Sequence, residues 1–211
     1  MTKPNVSIVG EGSSSGGEYG KVRVVGETVF LGSVHCETFK CTGEIKVEGD
    51  LRATEVKVTG TLLLRGNRQD DLSNYSLKSE QVKITGELKV TGDCEAEELK
   101  INGRIEAGGI LTAEAIELKL HGDSRVRDMG GSHISVKGRS GIPVIGLFHG
   151  GHGRLSAEVI EGDRIYLENT EAAIVRGAKV EIGPGCNIGT VEYRDSLEID
   201  KYAKVGSQFK L

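Results

Sequence analysis

The sequence predicts an all-β chain folded as a parallel β-helix, or β-solenoid, on three observations. Glycines recur with a period of 17: Gly26, Gly43 and Gly60 share that spacing, as do Gly32, Gly49 and Gly66, and the pattern resumes from Gly86 to Gly103 and from Gly92 to Gly109. Aligned on these glycines, the intervening residues fall into columns of constant chemistry, such as Val22, Phe39, Val56, Val82, Leu99, Ile116 and Val24, Cys41, Val58, Ile84, Ile101, Leu118. Composition excludes the competitors: 31 of 211 residues are Gly, Pro is 3, Trp is absent and aromatics are 4%, which suits neither a helix bundle nor an aromatic-rich sandwich. Collagen would need a triplet glycine period, and the regular spacing of the 37% hydrophobic residues argues against disorder.

Between the two glycines of each unit lies an alternating segment, giving Ile45 and Val47, Leu62 and Leu64, Leu88 and Val90, Ile105 and Ala107. Alternation with period two means short strands with one buried face, and glycine at fixed intervals means corners that need positive φ or close backbone approach. Three strands per turn fit into 17 residues. One such unit cannot bury its apolar face alone, whereas stacking turns at the ~4.8 Å strand spacing makes a continuous core and pairs the backbone groups.

In chain order, residues 1–17 contain the Gly/Ser-rich run Gly10–Gly17 and are expected to form a flexible N-terminal segment. The β-helix domain is expected over 18–206. Asn67–Tyr75 is polar and exceeds the period by nine residues, so a loop insertion leaves a corner near 67–76. Cys94–Lys100 and Leu111–Leu120 are rich in helix formers, yet they occupy the same columns as the Val- and Thr-rich Leu51–Gly60, and a stacked array needs equivalent segments to share a conformation. Strand is therefore expected there. An irregular middle spans 122–153, after which Leu155-Ser-Ala-Glu-Val-Ile-Glu161 repeats Leu111-Thr-Ala-Glu-Ala-Ile-Glu117 and reads as a return to the same register. Alternation continues at Ile165 and Leu167, Val180 and Ile182, and Leu197 and Ile199, and 207–211 read as a C-terminal tail.

The 27 basic and 31 acidic residues give a formal charge of −4 and are interspersed along the chain, so no polybasic patch offers itself to nucleic acid or anionic lipid. No stretch approaches 18 apolar residues and the start Met1–Val6 lacks a signal-peptide core, which makes a cytoplasmic protein the expectation. Cys36, Cys41, Cys94 and Cys186 lack CxxC spacing and read as reduced thiols, with Cys36 and Cys41 in inward columns. Acidic and basic residues alternate on the outward positions, as in Glu44, Lys46, Glu48 and Arg52, and pairing of opposite charge across turns accounts for them. Gly20-Lys21 is not a phosphate loop, because Val22 follows it and Ser15 stands where the first glycine belongs. His149 and His152 lie in a Gly-rich segment without Cys, Asp or Glu at ligand spacing, so they read as loop histidines. No catalytic residue, cofactor or metal site is expected.

The units such as Gly43-Glu-Ile-Lys-Val-Glu-Gly-Asp-Leu-Arg-Ala-Thr-Glu-Val-Lys-Val-Thr-Gly60 resemble the bactofilins, bacterial polymer-forming cytoskeletal proteins. Ala157-Glu-Val-Ile-Glu-Gly-Asp-Arg-Ile-Tyr-Leu-Glu-Asn169, Val175-Arg-Gly177, Val180-Glu-Ile-Gly-Pro-Gly-Cys186 and Val191-Glu-Tyr193 resemble the Bacillus-type branch more specifically. The resemblance covers residues 20 to 206. It implies a right-handed, triangular β-helix that polymerises end to end without nucleotide and serves cell shape, polar organisation or motility. Implied partners are the chain itself, other bactofilins, and cell-envelope or motility proteins. Two departures matter: the chain is longer than a single core of the family, and its N-terminus lacks the short apolar membrane-targeting segment of some members, so direct membrane insertion is not carried over.

Polymerisation also has a physical argument, because a solenoid without capping helices presents unpaired strand edges at its ends. The candidate polymerisation ends are Tyr19, Val22, Val24 and Phe30 in the first turn and Leu197, Ile199, Val205 and Phe209 in the last. Two alternatives remain. A hexapeptide-repeat acyltransferase would place a His as general base between subunits, but the glycines here alternate at six and eleven residues; a monomeric solenoid scaffold needs no end contact at all.

Overall fold

The computed structural model describes residues 3–66, 73–138 and 153–211. Nine strands follow one another in sequence order, each parallel to the next: β1 (Val6–Val47), β2 (Leu51–Leu64), β3 (Leu77–Val90), β4 (Cys94–Leu120), β5 (Ser124–Lys137), β6 (Leu155–Leu167), β7 (Thr170–Ile182), β8 (Asn187–Ile199) and β9 (Lys204–Lys210). No helix occurs among the described residues. The chain is a parallel β-solenoid, and both helix-prone segments lie in β4.

Pairing follows the columns read from the sequence. Val34, Leu51, Leu77 and Cys94 stack on one another, as do Cys41, Val58, Ile84 and Ile101. All eight are 4% exposed or less, and full burial of a Leu, Val or Ile side chain stabilises by about 1.5–3 kcal/mol. Glycines form the corner. Gly26, Gly43, Gly60, Gly86 and Gly103 have φ between 124° and 152°, and a Cβ on any of them would lie 1.8–2.3 Å from the carbonyl oxygen of the glycine one turn before.

The stagger between turns varies for local reasons. It is 17 residues from Val34 to Leu51, and lengthens from Leu51 to Leu77, across the expected insertion. It lengthens again from Ser124 to Leu155, then falls to 15 from Leu155 to Thr170. The two missing residues come from two corners: the step of four from Val47 to Leu51 becomes a step of three from Ala157 to Ile160, and the step of four from Val58 to Leu62, with Gly60 at φ 126°, becomes a step of three from Leu167 to Thr170, with Asn169 at φ 47°. Asn is the side chain best able to take that left-handed conformation.

Four expectations need correction. Residues 6–17 are strand, not a flexible segment: Gly10 stacks against Gly26, Gly16 against Gly32, and Pro4 accepts a hydrogen bond from the Gly20 amide at 2.9 Å. The spacing there is 16, so the Gly/Ser run is one more turn whose small residues meet their neighbours' backbone. Residues 207–210 belong to β9, and the Leu211 amide donates to the Tyr193 carbonyl at 2.8 Å, so the tail is part of the last turn. The first part of the irregular middle is the regular strand β5, while residues 139–152 lie outside the described residues, as do 67–72 of the insertion. Finally, Leu155 does not resume the register of Leu111. Met129 and Ile160 stand over Leu111, whereas Leu155 continues the column of Ser124 and Thr170. The shared pattern, inward residues at steps of two and then three, marks any corner and does not identify which one.

Candidate assembly surfaces

Where the column ends, the apolar interior meets solvent. β9 covers β8 only from Asn187 to Tyr193, so the last side of β8 has no described strand over it. There Leu197 is half-buried and Ile199 is 41% exposed, with Tyr202, Phe209 and Leu211 more exposed still. Val205 is half-buried in β9. The C-terminal group expected from sequence thus lies at this end of the stack, with Tyr202 and Leu211 beside it; as single apolar residues outside an alternating run, those two carried no signal.

The N-terminal group is different. Tyr19, Val22, Val24 and Phe30 are 9% exposed or less, because the turn begun by Val6 covers them. Tyr19 and Phe30 pack edge to face at 6.2 Å and Phe30 packs on Phe39 at 6.3 Å, so these rings belong to the interior. The residues at this end are instead Val6 and Ile8, half-buried against the core, and the exposed Val9.

Among the described residues no group of three His, Cys, Asp or Glu side chains is placed to hold a metal, and His149 and His152 lie outside them. All four cysteines are free and buried. Desolvation by burial pushes the Cys94 thiol up to about 12 and those of Cys36, Cys41 and Cys186 up to about 11. At neutral pH they are protonated, hence poor nucleophiles. No described helix is long and apolar enough to cross a membrane.

The outer surface carries its charge in an order that the linear sequence conceals. Cross-turn ion pairs of the expected kind are present, with Lys78 to Glu95 at 2.7 Å and Lys40 to Glu55 at 3.1 Å. Stacking, however, also gathers like charge: Lys40, Lys57, Lys83 and Lys100 are register partners in successive turns, and Arg23 precedes Lys40 by one period. The interspersion noted along the chain therefore does not hold along the stack, where five cations share one column. A period of 17 in the positions of Lys and Arg was the available signal.

These features define the class: a parallel β-solenoid with apolar residues exposed at both ends of its stack and charge sorted into columns. No family model matches the chain, and no solved structure matches it. Bacillus subtilis YhbE, an uncharacterized protein, is 37% identical over an alignment of 230 residues spanning 97% of each chain. The chain belongs to the YhbE family. Bacillus subtilis YhbF, likewise uncharacterized, is 48% identical over 104 residues, which are 49% of this chain and 42% of YhbF.

Proposed function

We propose that this protein is a structural element that assembles end to end into filaments without nucleotide and acts as a scaffold. The carrying observation is the C-terminal end of the stack, where Leu197, Ile199 and Val205 continue the interior columns to a surface that no described residue covers. A second molecule stacked there would extend the same columns, bury Ile199, and give the open backbone edge partners. The Val6–Gly10 strand at the other end offers a matching edge with half-buried Val6 and Ile8. Similarity to the bactofilins supports the same reading, including a bacterial cytoplasmic setting and service to cell shape, polar organisation or motility. No catalytic step is assigned. High-speed pelleting of purified protein, free of nucleotide and metal, tests the proposal. Wild type is expected in the pellet and Ile199→Arg in the supernatant, and a wild-type chain that stays as single short rods would overturn it.

A further inference from the structure

One face of the solenoid carries a charge pattern that is complementary to itself when reversed. Its central outward column runs Arg23, Lys40, Lys57, Lys83, Lys100 in the first half of the stack. In the second half the same column runs Glu117, Ser135, Tyr166, Glu181, Glu198. Glu117 follows Lys100 directly, since it lies close enough to favour the Lys100 cation. The neighbouring outward column is mixed in the first half, with Lys21, Thr38, Glu55, Gln81 and Glu98, and basic in the second, with His133, Arg164 and Lys179. Arg23, Lys57, Lys83, Arg164 and Lys179 make no ion pair among the described residues.

We infer that two copies of this chain pair side by side through this face, antiparallel, about a twofold axis that passes between the turns of Lys100 and Glu117. Such an axis keeps each column opposite itself and reverses the order of turns. Arg23 then faces Glu198 of a second copy, Lys40 faces Glu181 and Glu55 faces Arg164, while Lys57 lies opposite Tyr166, whose ring already has Lys137 Nζ 5.8 Å from its centroid. Symmetry makes every contact twice. Within these two columns no position opposes a like charge, whereas a parallel face-to-face pair would set Lys57 against Lys57 and Glu181 against Glu181. Both faces share one strand spacing, so the contacts stay in step along the rod.

Shape and area agree with charge. A hollow of about 560 Å³, lined by Ala115, Ser135 and Tyr166 together with Lys137, Arg164 and Lys179, lies just past the axis; its cations suit Glu98 of the other copy, which lies opposite, rather than Lys83. Ten turns at ~4.8 Å and a strand about 15 Å wide give roughly 700 Å² per copy, or roughly 1,400 Å² in all, within the range of specific interfaces. The pairing uses no residue of the ends, so it goes beyond end-to-end assembly and stands or falls separately from it.

Zero-length carbodiimide crosslinking of the wild-type chain at low ionic strength, followed by peptide mapping, tests this directly. Within one molecule Lys40 and Glu181 are seven turns apart, roughly 34 Å, so a Lys40–Glu181 crosslink can form only between antiparallel copies. That crosslink is expected, with at least tenfold lower yield in 0.5 M salt. Arg23→Glu/Lys40→Glu and Glu181→Lys/Glu198→Lys should each lose the pair alone, while an equal mixture restores it, linking position 40 of one variant to position 181 of the other. Finding only neighbouring-turn links such as Lys40–Glu55 would overturn the inference. Failure of the mixture to pair would do the same. So would binding of the unpaired chain to phosphatidylglycerol vesicles with no Lys40–Glu181 link, which would assign the face to a lipid surface.

Discussion

Three glycines separate backbone strain from steric overlap. Gly60 combines both: its φ is 126°, and a Cβ there would sit 1.9 Å from the Gly43 carbonyl oxygen, an atom of the backbone that cannot swing away. Gly10 has φ 99° with no atom within 4 Å of a built Cβ, and Gly130 has neither positive φ nor a close neighbour. A non-glycine residue held in such a conformation costs about 1–3 kcal/mol, and overpacking of a tight interior adds about 1–3 kcal/mol. Gly60→Ala is therefore expected to lose roughly 2–6 kcal/mol, and Gly10→Ala only the first part. Gly130→Ala should change stability by less than about 1 kcal/mol in either direction. For a chain of this size 1 kcal/mol moves the melting temperature by roughly 2–4 °C, so circular dichroism melts resolve the three. The order expected is Gly130→Ala, then Gly10→Ala, then Gly60→Ala least stable. A Gly60→Ala protein that melts with Gly130→Ala would refute the stacked-glycine corner.

Position in the stack should decide what an inward charge does. Val58→Arg and Val22→Arg bury an unpaired cation, both sites being 1% exposed, and should lose several kcal/mol and unfold the chain; Ile199→Arg should keep the wild-type circular dichroism and melt while losing assembly. Equal unfolding of all three would show that Ile199 is interior. The thiols of Cys36, Cys41, Cys94 and Cys186 should resist a maleimide at pH 7.5 and react on denaturation, and rapid native labelling of Cys94 would contradict its burial. Because burial raises these pKa values, the folded chain holds its thiol protons more tightly than the unfolded one. Their contribution to stability is complete below about pH 8.5, the ordinary thiol value, and is lost as pH rises toward 11–12. Melting temperature should thus fall above pH 9, and a rise there would contradict the assignment.

The fold was legible because two steric requirements repeat. Corners such as Gly43 and Gly60 admit no Cβ, and inward positions such as Val56 and Val58 must be apolar, so both leave a period in the sequence. What was hidden has equally physical causes. Gly10–Gly17 has the composition of a linker, and only its spacing of 16 to Gly26 and Gly32 marks it as a turn. That turn covers Val22 and Phe30 and removes them from the end surface. The likeness of Leu155–Glu161 to Leu111–Glu117 reflects a corner geometry shared by different corners. The cation column is marked in the sequence only by its period of 17, and that period breaks between Lys57 and Lys83, which are 26 residues apart in sequence yet adjacent in the stack.

The central claim is that the open ends of this solenoid join. Negative-stain electron microscopy of the purified chain, with and without ATP or GTP, tests it most directly. The account predicts filaments under all conditions, with a layer line at ~4.8 Å in cryo-images showing that strands run across the filament axis, and their loss in Ile199→Arg. Single short rods, compact trimers, or filaments that require a nucleotide would contradict it.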